Sequence, residues 1–262
     1  MSIRIPLSKV PPNKISISFT WDDNSIRHIS IIAPLFIENG LRCTFYIVPG
    51  DQKFDSLFSL EYSDLAKKGF EIGSHSYSHQ YMSSLSKQES EEEFNKAVKK
   101  ILKYINQYPF SFAFPNHDYN DILINKARSY HLETRNTLFN AIRFSIKTDT
   151  SLKDMIEAVD EAISNKTNLI FSGHSIITEE EYYNKQNGEG YQPMRTIILS
   201  ELLFYLKKAV SKADVLTFSQ SALREFIKKT ACLQNEEWII STEQLRALGK
   251  FHITQENIMS IL

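Results

Sequence analysis

The sequence predicts an α/β fold built around a mainly parallel, barrel-like sheet. Three observations carry that reading. Runs with the two-residue period of strands alternate along the chain with runs of helical period. About eight such units are present, as a parallel barrel requires. The acidic and imidazole residues that stand out collect just after the C-terminal ends of the strands, the face on which such barrels carry active sites.

The first strand is Ile15 to Phe19, which alternates apolar and small polar residues and runs into Thr20-Trp21-Asp22-Asp23-Asn24. Ser25 to Asn39 reads as helix, stopped by Gly40. Leu41 to Val48 is the second strand, Glu61 to Lys68 a helix, and Phe70 to Gly73 the third strand. Ser86 and Glu89 have capping-box spacing and open a helix that runs to about Asn106, with Phe94, Val98, Ile101, Leu102 and Ile105 on one face. Pro109 to Phe114 is the fourth strand and Asp121 to Ser129 a helix. Short strands near His131 to Thr134 and over Ala141 to Lys147 precede the helix Leu152 to Ser164 and the strand that ends in Ser172-Gly173-His174. Residues Ile176 to Pro193 read as a polar loop, too long for a mere connector and so assigned to the wall of a site. Thr196 to Lys208 is helical, Asp214 to Phe218 a last strand and Ser221 to Lys229 a last helix. The expected organisation is one barrel domain over residues 1–230, followed by an appended helical tail over 231–262 in which Ser241 to Gln244 could start a helix.

Composition narrows the function. The chain has 262 residues, 42% hydrophobic and 23% charged, enough for one large α/β domain with a sizeable core or for two small ones. Its 30 basic and 31 acidic residues nearly cancel, so no nucleic acid or anionic membrane surface is expected as a partner. Cys43 and Cys232 imply no disulfide framework, and Cys43, in an apolar run, reads as a small buried hydrophobe. Met1 to Val10 has no apolar stretch of signal-peptide length, and no segment is apolar enough to span a bilayer. A soluble, cytoplasmic protein is the expectation.

His75 and His79 lie four residues apart, the spacing of a two-histidine metal half-site on a helical turn, although two surface histidines also fall at that spacing by chance. Catalytic sites of the zinc type take about three protein ligands and keep a place for water, so a third donor is needed. Asp22 and Asp23 are adjacent at a strand end, where they repel. One could cap the next helix, but both together are better explained by a nearby cation. Of the seven histidines, His75, His79, His117 and His174 all follow predicted strands, whereas His28, His131 and His252 do not.

These segments resemble the ordered motifs of the polysaccharide deacetylases, the family 4 carbohydrate esterases. The resemblance rests on Thr20-Trp21-Asp22-Asp23, His75-Ser76-Tyr77-Ser78-His79, Phe114-Pro115-Asn116-His117-Asp118-Tyr119-Asn120 and Ser172-Gly173-His174, and it spans Ile15 to Phe226. It implies a distorted (β/α) barrel of about seven or eight mainly parallel strands. It also implies a metal-dependent amide hydrolase acting on N-acylated sugars or sugar conjugates. Carried over residue by residue, Asp22 is the base, Asp23, His75 and His79 hold one divalent metal, and His174 is the general acid. The backbone N–H of Asn116 contributes to the oxyanion site. His117 is either a further polar group of that site or a loop histidine with a backbone partner. The ligand set suits Zn(II) first and also Co(II), Fe(II), Mn(II) or Ni(II).

This chain departs from the family on the substrate side. Trp21 and Asn24 flank the acids where the family has Phe and Gly, Ala113 stands where many members have an arginine that orients the base, and Asn116-His117 replaces an aromatic-glycine pair. No Asp-x-x-Asp-Trp segment occurs, and Ser172 replaces a leucine. Arg135 or Arg143 could stand in for the missing arginine. Trp21 reads as barrel core, and Tyr182, Tyr183 and Tyr191 as loop residues able to stack on sugar. Two other readings stay open: a hydrolase of another C–N bond, such as a formamide or cyclic imide, and a non-catalytic carbohydrate-binding relative.

Overall fold

The computed structural model describes residues 2–52, 54, 58–138, 140–184, 191–209, 211–241, 243–244 and 255–262. A strand the sequence did not announce, β1 (Ser2–Pro6), precedes β2 (Ile15–Asp22). A π-helical turn, His28–Ile32, leads into α1 (Ala33–Glu38), so the helix expected over Ser25 to Asn39 is shorter and irregular at its start. Pro34 lacks an N–H to donate, which breaks the regular ladder ahead of it. The expected alternation follows: β3 (Thr44–Ile47), α2 (Ser59–Lys67), β4 (Glu71–Ser74), α3 (Lys87–Ile105), β5 (Ser111–Phe112), α4 (Asp121–Ala127), β6 (Glu133–Thr134), β7 (Ala141–Ser145), α5 (Leu152–Asn165) and β8 (Asn168–Gly173). The chain continues through β9 (Ile176–Ile177), α6 (Glu179–Tyr183), β10 (Met194–Arg195), α7 (Thr196–Lys208), β11 (Ala213–Val215) and α8 (Phe218–Thr230). It ends in β12 (Cys232–Gln234), β13 (Glu237–Ser241) and α9 (Gln255–Ile261).

The main sheet has the order β6-β5-β4-β3-β2-β8-β7, and every pairing in it is parallel. β11 joins the start of β2 on the edge whose far end pairs with β3. The sheet is a curled, distorted barrel, as expected. All eight residues of β2 are buried. Its alternation therefore separates two buried faces. Ile15, Ile17, Phe19 and Trp21 belong to the main apolar core with Phe36, Phe45 and Phe171. Ser18 and Thr20 satisfy their hydroxyls inside the barrel, on Ser221 Oγ at 2.6 Å and on the Phe171 carbonyl at 3.0 Å. Trp21 is fully buried core, and Gly173 leaves room for it: a Cβ there would stand 2.9 Å from Trp21 Cζ3. The end of the barrel remote from the strand C-termini is closed by the buried Glu71. Its carboxylate accepts hydrogen bonds from Thr44 Oγ1 at 2.9 Å, Ser111 Oγ at 2.6 Å, Ser219 N at 2.9 Å and Ser219 Oγ.

The capping box expected at α3 is present, with Glu89 N donating to Ser86 Oγ and Ser86 N donating to Glu89 Oε2. Such a cap contributes about 1 kcal/mol. Two expectations are corrected. The segment Ile176 to Pro193 is not simply a loop: Met194 pairs with Ile176, and Thr178 and Glu181 form a second capping box that starts α6. Its residues 185–190 lie outside the described residues. The segment after Thr230 starts as strand rather than helix. β13 pairs antiparallel with both β1 and β12, joining the two ends of the chain. Period-two alternation points Ile3, Ile5, Trp238 and Ile240 inward onto Leu223 and Ile227 of α8. Ser241 and Gln244 exchange hydrogen bonds in the manner of a capping box, and the rest of the helix start expected there, Thr242 included, falls outside the described residues. Among the described residues no helix is long and apolar enough to cross a membrane.

Two buried histidines make the fold sensitive to acid. His131 donates from Nδ1 to the Pro109 carbonyl at 2.7 Å, and burial pushes its pKa down to about 4. Burial likewise brings His28 down to about 4. Both are depressed below the unfolded value of 6.5, so their stabilising contribution is complete above pH 6.5 and is lost as the pH falls through 4. The expected cost is on the order of 3 kcal/mol per imidazole. Urea midpoints measured at pH 7.5, 6 and 5 should fall in that order, and a His131→Phe variant should show a shallower decline. A midpoint that rises on acidification would contradict the assignment.

Candidate active site

The site is built where β2, β4, β5 and β8 end. Asp22 closes β2, and the chain then turns through left-handed Asp23 (φ 75°) and Asn24 (φ 48°). Adjacent side chains on a straight strand would point apart. The left-handed turn instead brings both carboxylates to the wall of one cleft. Asn24 tolerates that conformation and locks it, because its Nδ2 donates to the Val48 carbonyl at 2.8 Å while Val48 N donates to its Oδ1 at 3.0 Å.

His75 follows β4 and is almost fully buried. Its Nδ1 donates to the Ala113 carbonyl at 2.8 Å, which leaves the Nε2 lone pair free. The pair His75–His79 is not on a helix, contrary to the expected helical turn. Left-handed Ser76 and His79 fold the loop (φ 63° and 59°), and His79 N donates to Ser76 Oγ at 2.9 Å. Glu93 of α3 clamps this loop, accepting from Tyr77 N and Ser78 N at 2.9 Å each and from Ser78 Oγ at 2.7 Å. Gly50 lies flat beneath it: its N–H donates to the Tyr77 carbonyl at 2.7 Å, and a Cβ would come within 2.2 Å of that oxygen.

Asp23, His75 and His79 can place one ligand atom each within 4.8 Å of one another. His79 Nε2 is 3.1 Å and His75 Nε2 3.5 Å from Asp23 Oδ1. Neither approach has hydrogen-bond geometry, and Oδ1 is buried without a hydrogen-bond partner. Three donors that converge without satisfying one another are what a cation requires. Burial pushes the Asp23 carboxyl up, but the two imidazoles outweigh it and hold the group below the ordinary carboxylate range.

Asp22 is paired differently. Arg135 Nη1 and Nη2 donate to its two oxygens at 2.7 Å each, and both residues are buried. Burial raises the Asp22 carboxyl, yet the Arg135 charge, then His75, leave it lowered overall. Of the two arginines considered from the sequence, Arg135 reaches the acid. Arg143 instead donates to the Asn136 carbonyl, next to it in the chain.

His174 follows β8, with Nε2 3.9 Å from Asp23 Oδ2. Its Nδ1 is buried and unpartnered. Burial lowers its pKa against the pull of Asp22 and Asp23. Tyr191 meets its ring edge-on at 5.0 Å, whereas Tyr182 and Tyr183 are covered by the Arg195 guanidinium at 4.7 and 5.6 Å. His28, outside the cleft, donates from Nε2 to the His174 carbonyl at 2.7 Å. Asn116 and His117 follow Pro115, both left-handed (φ 55° and 54°), and line the same cleft of about 730 Å³. His117 has a side-chain partner, Asn136, rather than a backbone one. His131 is packed in the fold with Phe94 and Phe112, and His252 lies outside the described residues.

Glu93, Asn24 and Asn136 are the supporting residues the sequence did not announce. Glu93 had one signal, since an acid beside Phe94 on the buried face of α3 needs a partner.

The family model for polysaccharide deacetylase matches residues 9–134. No curated protein matches the sequence. Solved structures share the fold at low identity. The family 4 esterase domain of a multidomain xylanase from the hindgut metagenome of Trinervitermes trinervoides is 15% identical over 82% of this chain and 93% of its own, with a TM-score of 0.57. A peptidoglycan N-acetylglucosamine deacetylase is 14% identical over 80% and 89%, at 0.58. The peptidoglycan deacetylase PdaC of Bacillus subtilis is 18% identical over 82% and 94%, at 0.54. Residues 9–134 thus match the polysaccharide deacetylase model, and the chain as a whole shares the fold of these family 4 deacetylases.

Proposed function

We propose that the chain is a metal-dependent hydrolase that removes an acyl group, acetyl first, from the nitrogen of an amino sugar or sugar conjugate. The observation that carries this reading is the convergence in one cleft of the unsatisfied Asp23–His75–His79 trio, the Arg135-bound Asp22 and His174. The donor set fits a divalent ion, Zn(II) before Co(II), Fe(II), Mn(II) or Ni(II): two imidazoles and one carboxylate, with the His75 tautomer already fixed for ligation. When bound, such an ion supplies Lewis acidity to the scissile carbonyl and to the attacking water.

The chain's own residues do the rest. Asp22 accepts the proton of the attacking water, and the Arg135 fork fixes the direction of its carboxylate while leaving further lone pairs on both oxygens. His174 gives a proton to the departing nitrogen. The Asn116 N–H faces the oxygen on which charge develops. Tyr191, beside His174, offers an apolar face to the sugar.

Purified protein is expected to contain one divalent ion per chain and to release acetate from an N-acetylated amino sugar. Formate release or imide ring opening in its place would move the reading to another C–N bond. Sugar binding by metal-loaded protein without turnover would identify a non-catalytic relative.

A further inference from the structure

We propose that His117 is a neutral hydrogen-bond donor to the acyl oxygen and that Asn136 is the positioning residue that sets its tautomer. This rests on the deacylase reading above and adds a donor to it.

The assignment follows from one chain of hydrogen bonds. Phe114 N lies 3.3 Å from the Asn136 amide, and a backbone N–H can only donate, so the amide atom facing it is Oδ1. Nδ2 therefore faces His117 Nδ1, also at 3.3 Å. Nδ2 carries two N–H donors and no lone pair to offer, so Nδ1 must accept. A neutral imidazole that accepts at Nδ1 holds its proton on Nε2. A second proton on the ring would set N–H against N–H at this contact, so the charged form is disfavoured. Burial and the Arg135 charge press in the same direction.

The amide has little freedom to turn over. Asn136 is buried, its carbonyl is held by Arg143, and its neighbour Arg135 is tied to Asp22. One short turn, Arg135–Thr137, thus orients the base through Arg135 and His117 through Asn136. Two left-handed residues after Pro115 set the imidazole on the wall of the cleft that holds Asp22, Asp23 and His174. A neutral N–H suits this position. It stabilises negative charge developing on the acyl oxygen, whereas an imidazolium would repel both Arg135 and a divalent ion.

The tautomer is tested on metal-free protein by nitrogen-15 NMR of the histidine rings. His117 should show Nε2 protonated and Nδ1 bare between pH 6 and 8, and Asn136→Asp, which still accepts from Phe114 N, should move the proton to Nδ1. A wild-type His117 protonated at Nδ1 overturns the inference. In turnover, His117→Phe keeps a ring but no donor, and should lower kcat about 10²-fold with KM little changed. Asn136→Asp should lower kcat as well, and the double variant should be no worse than His117→Phe alone. If wild type turns over and His117→Phe matches it within twofold, the donor role fails while the deacylase reading stands. If wild type releases no acyl group, that reading fails instead. The donor role is then decided by whether N-acetylglucosamine shifts the His117 Nε2 proton resonance: a shift supports it and an unmoved resonance rejects it.

Discussion

Changing His75 or His79 to alanine is expected to remove the bound divalent ion and the activity together. The donor set has no spare member, since Asp23, His75 and His79 are the group of ligand-type side chains that converge among the described residues. Loss of one leaves two donors, below the three that open catalytic sites use. Asp22 Oδ2 lies 3.8 Å from His75 Nε2 but is held by the Arg135 fork, and His174 Nε2 stands 3.9 Å from Asp23 on the other carboxylate oxygen, so neither is placed to take over as a full ligand. Ion catalysis contributes several kcal/mol, so turnover should fall by about 10³-fold or more. Asp23→Asn should behave more mildly, because an amide oxygen still coordinates weakly, and excess metal should restore part of its rate. The measurement is metal content per chain by elemental analysis alongside acyl release. Full occupancy in the His75→Ala, His79→Ala double variant would remove these residues from the metal site.

The difference between what the sequence announced and what it concealed is one of range. The parallel sheet was legible because each strand–helix unit is written locally, in periodicity and in caps such as Ser86 with Glu89. The site was legible because each of its acids and histidines sits at the end of a strand, and strand ends can be read without knowing the partners. β1 and β13 were not, since each is a short segment whose alternation, Ile3 with Ile5 and Trp238 with Ile240, gains meaning only when the two chain ends meet. The loop after His174 concealed less than was taken from it, for Thr178 and Glu181 obey the same capping rule as Ser86 and Glu89. The His75–His79 spacing pointed to a pair that does converge with Asp23, but through the wrong local structure. Side chains four apart can also converge when left-handed residues fold a loop, and no periodicity announces that. The support of the site is written farthest from it. Arg135 was one of two arginines the missing arginine at Ala113 brought into view, and only the packing of β6 beside β5 chooses between them.

Asp22→Asn is expected to do two separable things, and the pairing with Arg135 is the reason. The amide cannot take a proton from water, so turnover should fall by about 10²–10⁴-fold, the usual contribution of a general base. Metal content should be kept if Asp23, His75 and His79 are the ligands, since they are untouched. The same change removes the counter-ion of a guanidinium that is itself buried, with Thr20 Oγ1 at 3.1 Å and the Tyr46 ring at 5.1 Å as its remaining partners. Breaking one side of a buried ion pair costs about 3–5 kcal/mol, so the variant should also lose stability. A fall in rate alone would then not distinguish a lost base from a loosened site. Adding Arg135→Met separates the two. Methionine fills much of the same space without charge, so the double variant should recover most of the lost stability, as replacement of whole buried pairs by apolar residues does. It should recover none of the turnover if Asp22 is the proton acceptor. Urea midpoints, metal content and acyl release on wild type, both single variants and the double variant complete the cycle. A double variant as active as wild type would show that the Asp22–Arg135 pair only holds the strand ends together. An Asp22→Asn protein that loses its metal would make Asp22 a ligand and leave the base to be found elsewhere in the cleft.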